Sequence, residues 1–366
     1  MTVDAFDRAA AHLEALTRRP PPEGALAAGI ARIAPDGSLR AMLTGRDGPG
    51  GPPVSDPGLR LRVASVTKLA LARTALAAGL DPGTPLAELL PWPDPALRLG
   101  HLLSHRSGIT DGAGYVAPPP ADAVALAQDS AARSGHPPGG AFRYANLNYV
   151  LIGIALERAT GRRLDHLVAE HVLRPAGIGG GLNWAGVAER DRRLALWQWE
   201  GGRHVRQVDG PEGDWNADLI WRDGEGLDLA GWRPGWAPWF SPQGGLRASV
   251  PELARLARFA LSDAPGARMA RPVAGFGDTP GLEAAGLFRE VGLGVTIYRD
   301  HPEIGGDLAG HAGQALGAST GAWLDRATGA AWGYAILGWP DFSDGLEEEP
   351  FYPPAELEIM RIIARG

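Results

Sequence analysis

A chain of 366 residues with 45% apolar content is long enough for a large core, and a net charge of −7 without any basic run excludes a binder of nucleic-acid phosphates. It contains no Cys, which excludes disulfides, thiolate metal sites and thiol catalysis. Gly and Pro approach a quarter of the residues but punctuate apolar segments, so the composition predicts a globular protein with long irregular connections, not disorder.

The chain opens with MTVDAFDRAAAHLEAL, where Asp4, Asp7 and Arg8 stand in place of the apolar run of a secretory signal. Nowhere do about 18 apolar residues follow one another, so the expectation is a cytoplasmic protein without a membrane partner. Ala5 to Arg18 reads as an amphipathic helix, and Ala25 to Ile33, the turn Pro35 to Ser38, and Leu39 to Thr44 read as a hairpin. A Gly/Pro-rich loop from Gly48 to Pro57 leads to Thr67–Ala78, an Ala/Leu-rich helix that Gly79 stops. Further helices are expected at Ala121 to Arg133, at Asn148 to Ala159 ending at Gly161, and at Leu164 to Leu173 before Pro175.

Residues 182 to 240 hold most of the Trp residues without a clear period and read as long loops over a cleft. Ser249 and Glu252 have capping-box spacing before a helix at Leu253 to Leu261. Strands follow at Leu293 to Tyr298, Thr320 to Asp325 and Ala330 to Leu337, and Pro354 to Ala364 forms a closing helix. Elements of both kinds at the two ends, around a helical middle, predict an α/β (α+β) fold with an all-α insertion. The expected division is a discontinuous sheet domain, 1–63 and 241–366, and a mainly helical domain, 64–240, with long Trp-rich loops.

Chemistry enters at Lys68, the only lysine among 35 Lys+Arg residues. A guanidinium keeps its proton in a protein whereas a desolvated ammonium gives it up, so a lone Lys amid wholesale Arg usage points to proton transfer. Ser65 lies three residues upstream, and 12 serines in 366 residues place one there by chance only about 3% of the time. Residues three apart share a helix face, and the positive end of the helix dipole favours an alkoxide at Ser65. Ser-x-x-Lys catalysis is the functional reading, and a plain N-terminal cap beside a solvated Lys is the alternative.

Three more segments bear on the site. Tyr144 and Asn146 stand just before an apolar helix, where a neighbouring ammonium would favour the phenolate and make Tyr144 a base, or where the pair is a buried Tyr beside a helix cap. Gly310 to Gly317 reads as a Gly-rich wall carrying His311, or as a surface turn. His101 and His105 have the i, i+4 spacing of zinc ligands, but Leu102 replaces the Glu of a zincin, so a structural turn is expected and no metal.

Taken in order, Ser65-Val-Thr-Lys68, Leu102 to Ile109, Tyr144-Ala-Asn146, Ser241-Pro-Gln-Gly-Gly-Leu246 and His311-Ala-Gly313 resemble the serine β-lactamase-like superfamily of class C β-lactamases, penicillin-binding peptidases and related esterases. The resemblance implies an antiparallel sheet flanked by terminal helices, with the active site between sheet and helical domain. It implies an acyl-enzyme mechanism without cofactor: Ser65 attacks, and Lys68 and Tyr144 share proton transfer. Asn146 would bond Lys68 or substrate, and His311 would face the cleft beside Gly313. The N–H groups of Ser65 and Gln314 would form the oxyanion hole, and the Gln314 side chain need play no part in it.

His311-Ala-Gly313 departs from the Lys-Thr-Gly of β-lactamases and D-Ala-D-Ala peptidases and resembles the esterase-like branch. The expected function is therefore a serine carboxylesterase on small esters, with weak amide or β-lactam hydrolysis. The alternatives are a β-lactamase or D-Ala-D-Ala-type peptidase, and a catalytically silent ligand-binding homologue.

Overall fold

The first hairpin of the chain pairs with its last strand. A computed structural model describes residues 4–365 except 117–121, 185, 188, 190–191, 209–218, 223–224, 283–287 and 341–351. The strands are β1 (Ala27–Ile33), β2 (Leu39–Gly45), β3 (Leu61–Arg62), β4 (Gly181–Leu182), β5 (Trp197–Glu200), β6 (Arg203–Arg206), β7 (Leu219–Arg222), β8 (Glu225–Asp228), β9 (Leu246–Ala248), β10 (Ala274–Gly275), β11 (Glu290–Val291), β12 (Thr296–His301), β13 (Gly305–Ala315), β14 (Ala318–Asp325) and β15 (Ala331–Leu337). Eight of them form one antiparallel sheet in the order β10-β11-β12-β13-β14-β15-β1-β2, with Ala27 opposite Leu337.

The helices are α1 (Ala5–Leu16), α2 (Thr67–Ala77), α3 (Leu99–Leu103), α4 (Ala123–Gln128), α5 (Asn146–Thr160), α6 (Leu164–Val168), α7 (Val250–Leu261), α8 (Ala264–Met269) and α9 (Pro354–Arg365). The sheet sorts its side chains by size. Ala331, Ala335, Ala318 and Ala322 belong to the core shared with α7 and the helical region, whereas Trp332, Tyr334 and Trp323 belong to the core under α1 and α9. Period-2 alternation sends successive residues to opposite faces, and the small face lets α7 lie close. A Cβ on Gly333 would stand 2.5 Å from the Val250 carbonyl oxygen.

The cap signals act as their chemistry requires. Ser249 and Glu252 form the capping box of α7, and Gly161, at φ 67°, ends α5 in the left-handed region that favours glycine. The segment expected at Ala121 to Arg133 is shorter: α4 is followed by a 3₁₀ turn at Ser130–Ala132, and Ala121 itself lies outside the described residues. Residues 182 to 240 are not loops throughout, because they carry the hairpins β5–β6 and β7–β8. The larger correction is at Gly310 to Gly317, which is mostly strand β13 and not a Gly-rich turn. Glycine is depleted in strands, so composition concealed it. Among the described residues, no helix is long and apolar enough to cross a membrane.

Candidate active site

Strand β3 delivers the chain to a 3₁₀ turn at Ala64–Val66 that runs into α2. Ala64 has φ 47°, a left-handed conformation that costs an L-residue roughly 1–3 kcal/mol and sits directly before Ser65. Thr67 secures the turn by donating to the Ala64 carbonyl at 2.6 Å and accepting from the Leu246 amide at 3.0 Å. One helical turn on, Lys68 is completely buried, and its Nζ donates to Ser65 Oγ, Asn146 Oδ1 and the Gln243 carbonyl oxygen, each at 2.8 Å.

Those three acceptors suit an ammonium, but burial opposes the charge more strongly. Desolvation lowers the Lys68 pKa to about 7, helped by the nearby Arg62 cation and resisted by Asp111. Near neutral pH the amine and ammonium forms are thus comparably populated. An Arg at this position would hold a permanent charge in the same pocket.

Asp111 was not legible as a site residue. Its carboxylate accepts from the Asn146 amide (2.8 Å), the Asn146 side-chain Nδ2 (3.0 Å) and the Leu147 amide (2.9 Å). It therefore satisfies the first N–H groups of α5 and turns the Asn146 oxygen towards Lys68. No local signal announces this cap, because it comes from a loop 35 residues upstream.

Tyr144 stacks on His105 with ring centroids 4.3 Å apart, and Lys68 Nζ lies 5.0 Å from the centroid of its ring. Burial pushes the pKa of its hydroxyl well above the ordinary phenol value, and the interaction with the Ser65 side chain offsets this only in part. Of the two readings of Tyr144, this environment favours the neutral phenol, because desolvation disfavours a buried anion. His105 braces the loop that carries Tyr144. Its Nδ1 accepts from the Ala145 amide at 3.1 Å, and Ser107 two residues on donates to Asn148 Oδ1 at 2.6 Å. The turn thereby fixes the Tyr144 loop, and among the described residues no group of three or more His, Asp or Glu could hold a metal.

Strand β13 forms the opposite wall. His311 is buried, its ring 6.3 Å from that of Tyr144, and burial together with the Lys68 charge lowers its pKa to about 3. It is neutral at physiological pH. A Cβ on Gly313 would come 2.5 Å from the Val63 carbonyl and 2.9 Å from the Ser65 amide nitrogen, so only glycine allows the strand to lie this close.

Register fixes the direction of the next N–H. Ala315 and Ala318 are partners across a two-residue turn in which Leu316 and Gly317 both have positive φ. Ala315 and Ala318 are then a hydrogen-bonded pair and Gln314–Ser319 is not, so the Gln314 N–H points away from β14. Strand β12 begins at Thr296 opposite Gly310, which leaves that N–H beyond its end. The Gln314 side chain goes to the other face of the sheet, where Nε2 donates to Glu356 at 3.2 Å.

The family model described as Beta-lactamase matches residues 13–350. A D-aminopeptidase of Cereibacter sphaeroides is 30% identical over 197 residues, covering 49% of this chain and 36% of that protein. The chain thus spans little more than a third of the length of the curated relatives it matches. A D-amino acid amidase from Ochrobactrum anthropi, solved with D-phenylalanine, superposes with TM-score 0.70 at 19% identity over 98% of both chains. An octameric penicillin-binding protein homologue from Pyrococcus abyssi gives TM-score 0.69 at 19% identity over 98% of this chain and 76% of its own.

Proposed function

The chain belongs to the beta-lactamase family of serine hydrolases, and from that premise we propose that it cleaves small amides and esters whose binding needs no carboxylate contact, through an acyl-enzyme on Ser65, with D-amino acid amides and N-terminal D-residues foremost. The observation that carries the mechanism is the buried Lys68 amine, at a pKa near 7 and 2.8 Å from Ser65 Oγ. In its neutral form it takes the Ser65 proton as Oγ adds to the substrate carbonyl, and the oxyanion is received by the N–H groups of Ser65 and Gln314. Tyr144, kept protonated by burial, passes its proton to the leaving amine or alcohol and is reprotonated from Lys68. A water then repeats the sequence on the acyl-enzyme. Asn146, held by Asp111, keeps the amine aimed at Ser65.

The substrate class rests on His311. A neutral imidazole offers no charge to a substrate carboxylate, which disfavours penicillins and C-terminal D-Ala peptides relative to amides and esters that lack one. The names of the similar proteins move amides ahead of the simple esters that the His-x-Gly pattern suggested. The test compares D- and L-phenylalanine amide, p-nitrophenyl acetate and a chromogenic cephalosporin, with Ser65→Ala alongside. The expected result is D-amide and ester turnover, a D over L preference, a slower cephalosporin reaction and an inert variant. A cephalosporin turned over more efficiently than every amide and ester would restore the β-lactamase reading. A folded protein inert to all of them would favour the silent homologue.

A further inference from the structure

On the face of β13 turned away from Ser65, one buried carboxyl touches three neighbouring strands. Glu356, on α9, is 0% exposed and sits among the apolar side chains of Ile359, Met360 and Ile363. Its Oε1 accepts from the Tyr334 hydroxyl of β15 at 2.7 Å and its Oε2 accepts from Gln314 Nε2 of β13 at 3.2 Å. Ser319 of β14 adds a side-chain hydrogen bond. Gln314 and Ser319 face each other in the register and Tyr334, opposite Gly321, stands two residues further along, so the carboxyl joins one residue from each of three adjacent strands.

Burial of this kind is costly for a carboxyl and needs every bond it receives. A Leu or Met would pack the same space without that cost, as its apolar neighbours on α9 do. On the other face, Thr320 Oγ1 donates to the Val63 carbonyl at 2.8 Å, tying β14 to the chain two residues before Ser65. The Gly313–Gln314 segment is thus held from both faces at the point where its N–H enters the cleft.

We propose that Glu356 is a positioning residue for acylation: by fastening the Gln314 side chain from behind to β14 and β15, it fixes the direction of the Gln314 main-chain N–H towards the carbonyl oxygen that Ser65 makes anionic. The inference rests on the mechanism proposed above. A donor aimed at developing charge acts through its orientation, and a displacement of about 1 Å at such a group costs up to roughly 100-fold in rate.

The experiment measures kcat and KM for p-nitrophenyl acetate, and affinity for phenylboronic acid, which becomes tetrahedral on a serine, in Glu356→Ala, Glu356→Gln and Gln314→Leu. In Glu356→Ala, kcat should fall about 10- to 100-fold with KM within about twofold, and boronate affinity should fall in parallel. Glu356→Gln should retain kcat within about threefold, since the amide still accepts from Tyr334 and the Gln314 amide can rotate to match it. Gln314→Leu keeps the main-chain N–H and leaves Glu356 its other two bonds, so it should reproduce the kcat loss even if Glu356→Ala does not fold. A Gln314→Leu protein with kcat and boronate affinity within twofold of the parent would overturn the proposal. Equal damage from Glu356→Gln and Glu356→Ala would do so as well. Turnover and mass spectrometry of the parent with the ester separate the two levels: a parent with neither turnover nor an adduct on Ser65 would sink the mechanism and the clamp together, whereas an active parent with indifferent variants would sink the clamp alone.

Discussion

Lys68 Nζ lies 2.8 Å from Ser65 Oγ inside a pocket that leaves the lysine no exposed surface. The contact follows from a spacing of three on one helix face, and the pKa near 7 follows from burial. Together they explain why this position is not Arg in a chain that uses Arg everywhere else.

Lys68→Arg should therefore abolish turnover while the protein still folds around a permanent charge. We expect kcat/KM for p-nitrophenyl acetate to fall by at least about 10³-fold, against an upper range of roughly 10⁴ for positioned proton transfer. Near-parent activity in Lys68→Arg would remove Lys68 from proton transfer.

The pH profile carries the sign of the same shift. Because the amine is the reactive form, kcat/KM should rise with pH along a limb near 7, the value that burial sets for Lys68. Asp111 favours the ammonium, so Asp111→Asn should destabilise that form, lower the Lys68 pKa and move the limb to lower pH. Asn still offers one oxygen to the Asn146 and Leu147 amides. A limb that stays in place or moves to higher pH would contradict the coupling.

Tyr144→Phe separates the two proton carriers. The hydroxyl is held protonated, so its loss should slow acylation by about 10²- to 10⁴-fold and leave the limb near 7 where it was. Disappearance of that limb would identify Tyr144 as the base instead.

Gly313→Ala tests the approach of β13 to the nucleophile. The added Cβ would meet the Val63 carbonyl and the Ser65 amide at 2.5 and 2.9 Å, so either the strand or the Ser65 turn must move. Thermal denaturation should show a loss of about 1–3 kcal/mol, and kcat should fall more than KM rises. A variant with unchanged Tm and kcat would mean the strand is not held at this distance.

Much of this site was legible residue by residue because its signals are local. Lys68 stood out by composition, Ser65 by its spacing on one helix face, and Tyr144 and Asn146 by their place at the start of an apolar helix. The helices α1, α5, α7 and α9 and the strands β1, β2, β14 and β15 announced themselves through periodicity, caps and turns. Strand β13 did not, since the glycines that let it approach Ser65 are the residues that weaken a strand signal.

What the sequence determined by itself was the set of reactive groups and their local frames: one deprotonatable lysine, one serine a helical turn away, a tyrosine and an asparagine at a helix start. Only the tertiary structure decided their states. Burial made the Lys68 amine available, kept Tyr144 protonated and left His311 neutral. Asp111 and Glu356 reach Asn146 and Gln314 across 35 and 42 positions of chain. Desolvation and contacts of that range are properties of the assembled layers, and no window of sequence contains them.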